Sequence, residues 1–114
     1  MFKGLGGIGD MAKMMSAAKE MQEKMSALQT ELATTEIAGE SGAGLVKATA
    51  TAKGVLTRLD IDPSIFNPDE KEVVEDLILA AVKDAQDKAA QYQQDELKRL
   101  QEELGLPADM KLPF

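Results

Sequence analysis

Residues 39–46, Gly-Glu-Ser-Gly-Ala-Gly-Leu-Val, carry the glycine spacing of a phosphate-binding loop. Such a loop needs a lysine to reach the β- and γ-phosphates, a hydroxyl for the metal ion, and a following helix. Leu45 and Val46 stand where the lysine and hydroxyl belong. The residues after them alternate as a strand does, so no helix N-terminus faces the loop. A dinucleotide fingerprint fails too, because its third glycine falls on Lys47. The stretch is expected to be a hairpin turn.

Asp60, Asp62 and Ser64 imitate the opening of a calcium loop, but Ile65 replaces its glycine and Lys71 its closing glutamate. Asp62-Pro63 is expected to end a strand. The chain has neither histidine nor cysteine, so Ser16, Ser26, Ser41 and Ser64 lack the usual activating base. Ser41 with Lys47 is the one serine–lysine pair near a turn, and no further catalytic group accompanies it. No enzymatic activity, metal, cofactor or small-molecule substrate is expected.

The basic residues remain. Lys13, Lys19 and Lys24 are placed on the outward face of a helix, with Lys19–Glu23 and Glu20–Lys24 at i,i+4 spacing. Asp84–Lys88, Asp95–Arg99 and Lys98–Glu102 repeat that spacing later in the chain. Lys3 and Lys13 have the least local neutralisation. Lys47, Lys53 and Arg58 form a patch only if strand register brings them together. The formal net charge of −7 resides wholly in residues 61–114, which argues against an indiscriminate polycation.

Two long helices and a small sheet must position these groups. Met11, Met14, Ala18, Met21, Met25, Leu28 and Leu32 alternate spacings of three and four, the seam of a helix–helix contact, and predict a helix over 10–33 capped by Asp10. Residues 1–9 are expected to be a flexible leader. Residues 34–62 read as a three-stranded antiparallel meander, with Val46, Ala48, Ala50 and Ala52 forming a small-residue face suited to a close helix. Asn67 and Pro68, with Glu70 in capping-box position, predict a helix over 67–104 with Val74, Ile78, Ala81, Ala85, Ala89 and Tyr92 on one face. A Pro-containing tail occupies 105–114.

The result is one α+β domain of 114 residues whose helices outrun its sheet. A single copy would leave the methionine seam and alanine face partly bare, and a homodimer is the simplest remedy. No apolar run is long enough for a membrane span and the N-terminus lacks a signal peptide's apolar stretch, so the cytoplasm is expected.

Several blocks together resemble the YbaB/EbfC family of bacterial nucleoid-associated proteins. They are the Met-Phe-Lys-Gly leader, KEMQEKM at 19–25, GESGAGLVKATATAKG at 39–54, LDIDPSIF at 59–66, EVVEDLILAAVKDA at 72–85 and the closing LPADMKLPF. The resemblance implies a tweezer-like homodimer with protruding helices. It implies binding to double-stranded DNA with little sequence preference, organising the nucleoid and in some cases influencing transcription. Lys13, Lys19, Lys24, Lys88, Lys98 and Arg99 would then touch phosphates, which positions a protein without reading bases. The alternative is a non-enzymatic, chaperone-like dimeric scaffold that grips another protein through Met11, Met14, Met15, Met21 and Met25.

Overall fold

The computed structural model describes residues 3–105, with side chains from Gly9 onward. Helix α1 spans Lys3–Thr34, strands β1, β2 and β3 span Glu36–Ser41, Val46–Thr51 and Leu56–Ile61, and helix α2 spans Lys71–Glu103. The strands form one antiparallel sheet in the order β1-β2-β3. The fold is α+β, drawn out to 81 × 22 × 16 Å. The tail expected at 105–114 lies, beyond Gly105, outside the described residues, as do Met1 and Phe2.

Helix α1 begins at Lys3, so the stretch expected as a flexible leader is helical from there on and Asp10 lies inside the helix instead of capping it. Glycine weakens a helix by ~1 kcal/mol relative to alanine but keeps its N–H and tolerates helical angles. A glycine-rich start therefore lowers helix stability without ending the helix.

In the sheet, β2 is the central strand, and Val46, Ala48, Ala50 and the following Ala52 are all buried. Helix α2 lies across β1 and β2 on that face. Its Ala81 and Ala85 meet Val46, Ala48 and Ala50, with Leu77, Ile78 and Val82 closing around them. Short side chains on both layers let the backbones approach closely. At Gly39 the approach is complete: a Cβ there would lie 2.2 Å from the Ala85 backbone nitrogen. Polar bonds hold the same contact, since the Glu40 N–H donates to the Asp84 carboxylate at 3.0 Å and the Ser41 hydroxyl to the Leu77 carbonyl at 2.5 Å.

Two turns differ in detail from the pattern in the sequence. The β1–β2 connection takes three successive left-handed residues, Gly42, Ala43 and Gly44, with φ of 59°, 56° and 92°. That is the hairpin corner. Between β2 and β3 a register shift at Thr49/Ala50 pairs Ala50 with Leu56 and Thr49 with Arg58. Leu56 thereby takes the place that strict alternation gives to Thr57. The start of α2 is also stepped. Asn67 accepts from the Asp69 N–H at 3.0 Å, capping a short 3-10 turn over Pro68–Glu70 before the regular helix begins.

A second cluster joins the helices. Leu28 and Leu32 of α1 pack with Ala52 and Leu100, flanked by Met25, Ile37, Tyr92 and Leu104. Gln93 donates to the Ala52 carbonyl at 3.1 Å, tying α2 to the end of the sheet. Here α1 is anchored.

Candidate nucleic-acid interface

Beyond that anchor α1 has no packed neighbour from Gly9 to Met15 among the described residues. Every residue from Gly9 to Glu20 is exposed, and Met11, Met14 and Met15 show 63, 69 and 71% of their surface. The predicted seam is thus divided. Leu28 and Leu32 are buried within the chain, Met21 and Met25 are half-buried, and Met11 and Met14 are bare. The outer part of α1 is a projecting arm.

The predicted basic residues fall into two groups. Lys13 and Lys19 on the arm, and Lys98 on α2, are exposed and make no ion pair among the described residues. Lys24, Lys88 and Arg99 are engaged. Lys88 holds Asp84 at 3.0 Å, and Arg99 holds Glu96 at 2.9 Å. Arg99 does not take Asp95 as the spacing suggested; Gln91 donates to that carboxylate instead, at 2.8 Å. Lys24 pairs with Glu103 in the last turn of α2 and lies 3.9 Å from Glu20. Its hydrogen bond to Glu103 keeps the ammonium protonated to higher pH than usual and holds Glu103 below the ordinary carboxylate range. Glu103 has no signal in the sequence, since nothing local links it to a residue 79 positions away.

Register settles the sheet lysines. Lys47 lies between Glu40 and Asp60 in one cross-strand row, and Arg58 stands opposite Thr49 on the same open face. Lys53 is in the β2–β3 turn. Each base is interleaved with carboxylates or separated by the turn, so no basic patch forms on the sheet. Ser41 lies opposite Val46, on the face away from Lys47, and the serine–lysine pair does not assemble. Asp62 accepts from the Ser64 N–H at 2.8 Å, which makes it the cap of a 3-10 turn. No group of three or more acidic side chains is placed to hold a metal ion among the described residues. Nor is any described helix long and apolar enough to cross a membrane.

A bare apolar surface escaped the helical pattern. Leu56 and Leu59 of β3 are 42 and 39% exposed, on the helix-bearing face of the sheet at the β3 flank, where α2, lying over β1 and β2, does not cover them. Leu79, exposed as well, sits on the flank of α2 nearest β3, the flank from which Gln86 donates to the Gly54 carbonyl at 3.1 Å. The signal was present in Leu79, an apolar residue lying off the stripe of Val74, Ile78 and Ala81.

Comparison with known proteins bears on this arrangement. Residues 7–104 match the model of the YbaB/EbfC DNA-binding family. A nucleoid-associated protein of Rhizobium meliloti is 48% identical over 105 residues, covering 92% of this chain and 98% of its own. Proteins of the same description from Maricaulis maris and Brucella ovis are 45 and 47% identical over the same shares of each chain. A crystal structure of an uncharacterized Helicobacter pylori protein shares the fold with a TM-score of 0.63 and 23% identity, covering 88% of this chain and 96% of that one.

Proposed function

The chain belongs to the YbaB/EbfC DNA-binding family, and from that membership we propose that it is a nucleoid-associated protein that grips the backbone of double-stranded DNA as a homodimer, with little sequence preference. The observation that carries the reading is the bare arm of α1, where Lys13 and Lys19 stand exposed without ion-pair partners among the described residues. Phosphate is the natural counterpart of such groups, and contact to phosphate is blind to sequence. The acidic half of the chain, which holds the whole net charge of −7, repels the duplex and confines it to the arms. The cellular consequence is residence on the nucleoid in the cytoplasm and an influence on transcription through DNA organisation.

Two arms offering two free lysines each make about four phosphate contacts, which costs ~10²-fold in affinity between 50 and 200 mM salt. Fluorescence anisotropy with unrelated duplexes is expected to show that decline and near-equal affinities at any one salt concentration. Replacing Lys13 and Lys19 with Gln is expected to weaken binding to every duplex and flatten the salt dependence, with the melting temperature unchanged. Absence of binding by micromolar protein at ~50 mM salt would remove the DNA reading. The exposed Met11, Met14 and Met15 favour a second reading, a scaffold that grips another protein through a soft apolar surface. That reading predicts a protein partner retained at high salt and lost on substitution of Met15.

A further inference from the structure

We propose that Lys24 serves DNA binding at one remove: its ion pair with Glu103 sets the pitch at which the α1 arm leaves the body, and thereby where Lys13 and Lys19 are presented. The inference rests on the DNA reading above. Lys24 occupies the hinge of the arm, between the exposed stretch Gly9–Glu20 and the buried Leu28 and Leu32. Packing does not fill the space around the pair. A cleft of about 320 Å³ lined by Leu28, Glu31, Glu96, Arg99 and Leu100 opens on one side, and one of about 340 Å³ lined by Ala17, Ala18, Met21 and Leu104 on the other. Glu103 borders both. At this level the charge pair bridges the two helices between the clefts, with apolar packing resuming at Met25 and Leu28.

The surroundings also argue against phosphate contact by Lys24. Glu20 and Glu103 are already paired with it, and Glu31 and Glu96 line the same cleft. Among the described residues the one other cation lining the cleft, Arg99, is held by Glu96. A phosphate approaching Lys24 would meet four carboxylates. Lys13 lies eleven residues away, within about 20° of Lys24 on the helix at ~100° per residue. From Lys24 to Gly9 the arm extends ~22 Å, so a change of about 10° in pitch displaces its end by ~4 Å. At Lys13, ~16 Å out, the same change is ~3 Å, about the length of one ammonium–phosphate contact.

Because the chain has no cysteine, nitroxides can be placed at Ser16→Cys and Gln94→Cys, both exposed positions, with unlabelled protein added to dilute contacts between copies. Pulsed electron resonance is expected to give one distance distribution for the parent protein, a shifted or broadened one for Lys24→Gln and for Glu103→Gln, and restoration in the double exchange K24E/E103K. In anisotropy titrations both single variants are expected to bind duplex several-fold more weakly, with the double exchange again restoring. Direct phosphate contact by Lys24 predicts the opposite for Glu103→Gln, which would bind more tightly, and a salt slope reduced by ~1.8 in a Lys24→Gln dimer, about 0.9 for each copy. Tighter or unchanged binding by Glu103→Gln, or distances identical in all variants, overturns the proposal. Should the parent protein bind no DNA, the DNA reading fails, while the distance measurements still decide whether the pair sets the arm.

Discussion

Among individual residues, Asp84 shows how one carboxylate joins layers that the sequence keeps apart. It accepts from the Glu40 N–H and from Lys88, and the first of these is the larger cause of a carboxyl pKa below the ordinary value of 3.8. A carboxyl depressed in the folded state stabilises fully above its unfolded pKa and loses that contribution as pH falls through its folded pKa. Asp84→Asn is therefore expected to melt below the parent protein at neutral pH, with the gap closing below about pH 4. Thermal melts across that range check it, and a gap independent of pH would assign the effect to shape and not to charge. The Lys88 half of this arrangement was legible as an i,i+4 pair, whereas the Glu40 half depends on where α2 crosses β1. The same limit applies to Lys24: its pairing with Glu20 was visible in the spacing, and its pairing with Glu103 was not. Local spacing reports local partners.

Among the elements, periodicity located both helices and all three strands but could not say what each face meets. The seven seam positions of α1 have one spacing and two fates, because α2 ends at Glu103 and has nothing to offer the methionines beyond it. Likewise the alternation in β3 broke at Thr57, where a bulge is set by pairing with β2 and by nothing in the strand itself. The division of α1 predicts unequal costs for similar truncations. Leu32→Ala is expected to cost ~2–5 kcal/mol, as for buried leucines generally. Met14→Ala is expected to fall within about 0.5 kcal/mol of the parent protein. Chemical denaturation of the two variants measures both.

At the scale of the whole molecule, the radius of gyration is 21.7 Å, against ~13 Å for a compact chain of this length. Among the described residues only Leu32 and Val46 are large side chains buried completely, and the rest of the central core is alanine. So thin a core beside the uncovered Leu56, Leu59 and Leu79 supports the homodimer proposed above, with that face turned to the second copy. Leu59→Glu is expected to yield a weaker or dissociated dimer in sedimentation equilibrium, with a lower melting temperature. A parent protein that sediments as a folded monomer would remove the dimer.

The unsupported outer stretch of α1 has a consequence for how such a protein can change over time. Substitutions from Gly9 to Lys13 and at Met14 and Met15 touch no packed neighbour among the described residues, so they leave the folding equilibrium near its threshold untouched while, on the DNA reading proposed above, altering what the arm would grip. Substitutions near Leu28 and Leu32 do the reverse. One helix thus holds a region where ligand preference can drift freely and a region where it cannot, with Lys24 at the border between them.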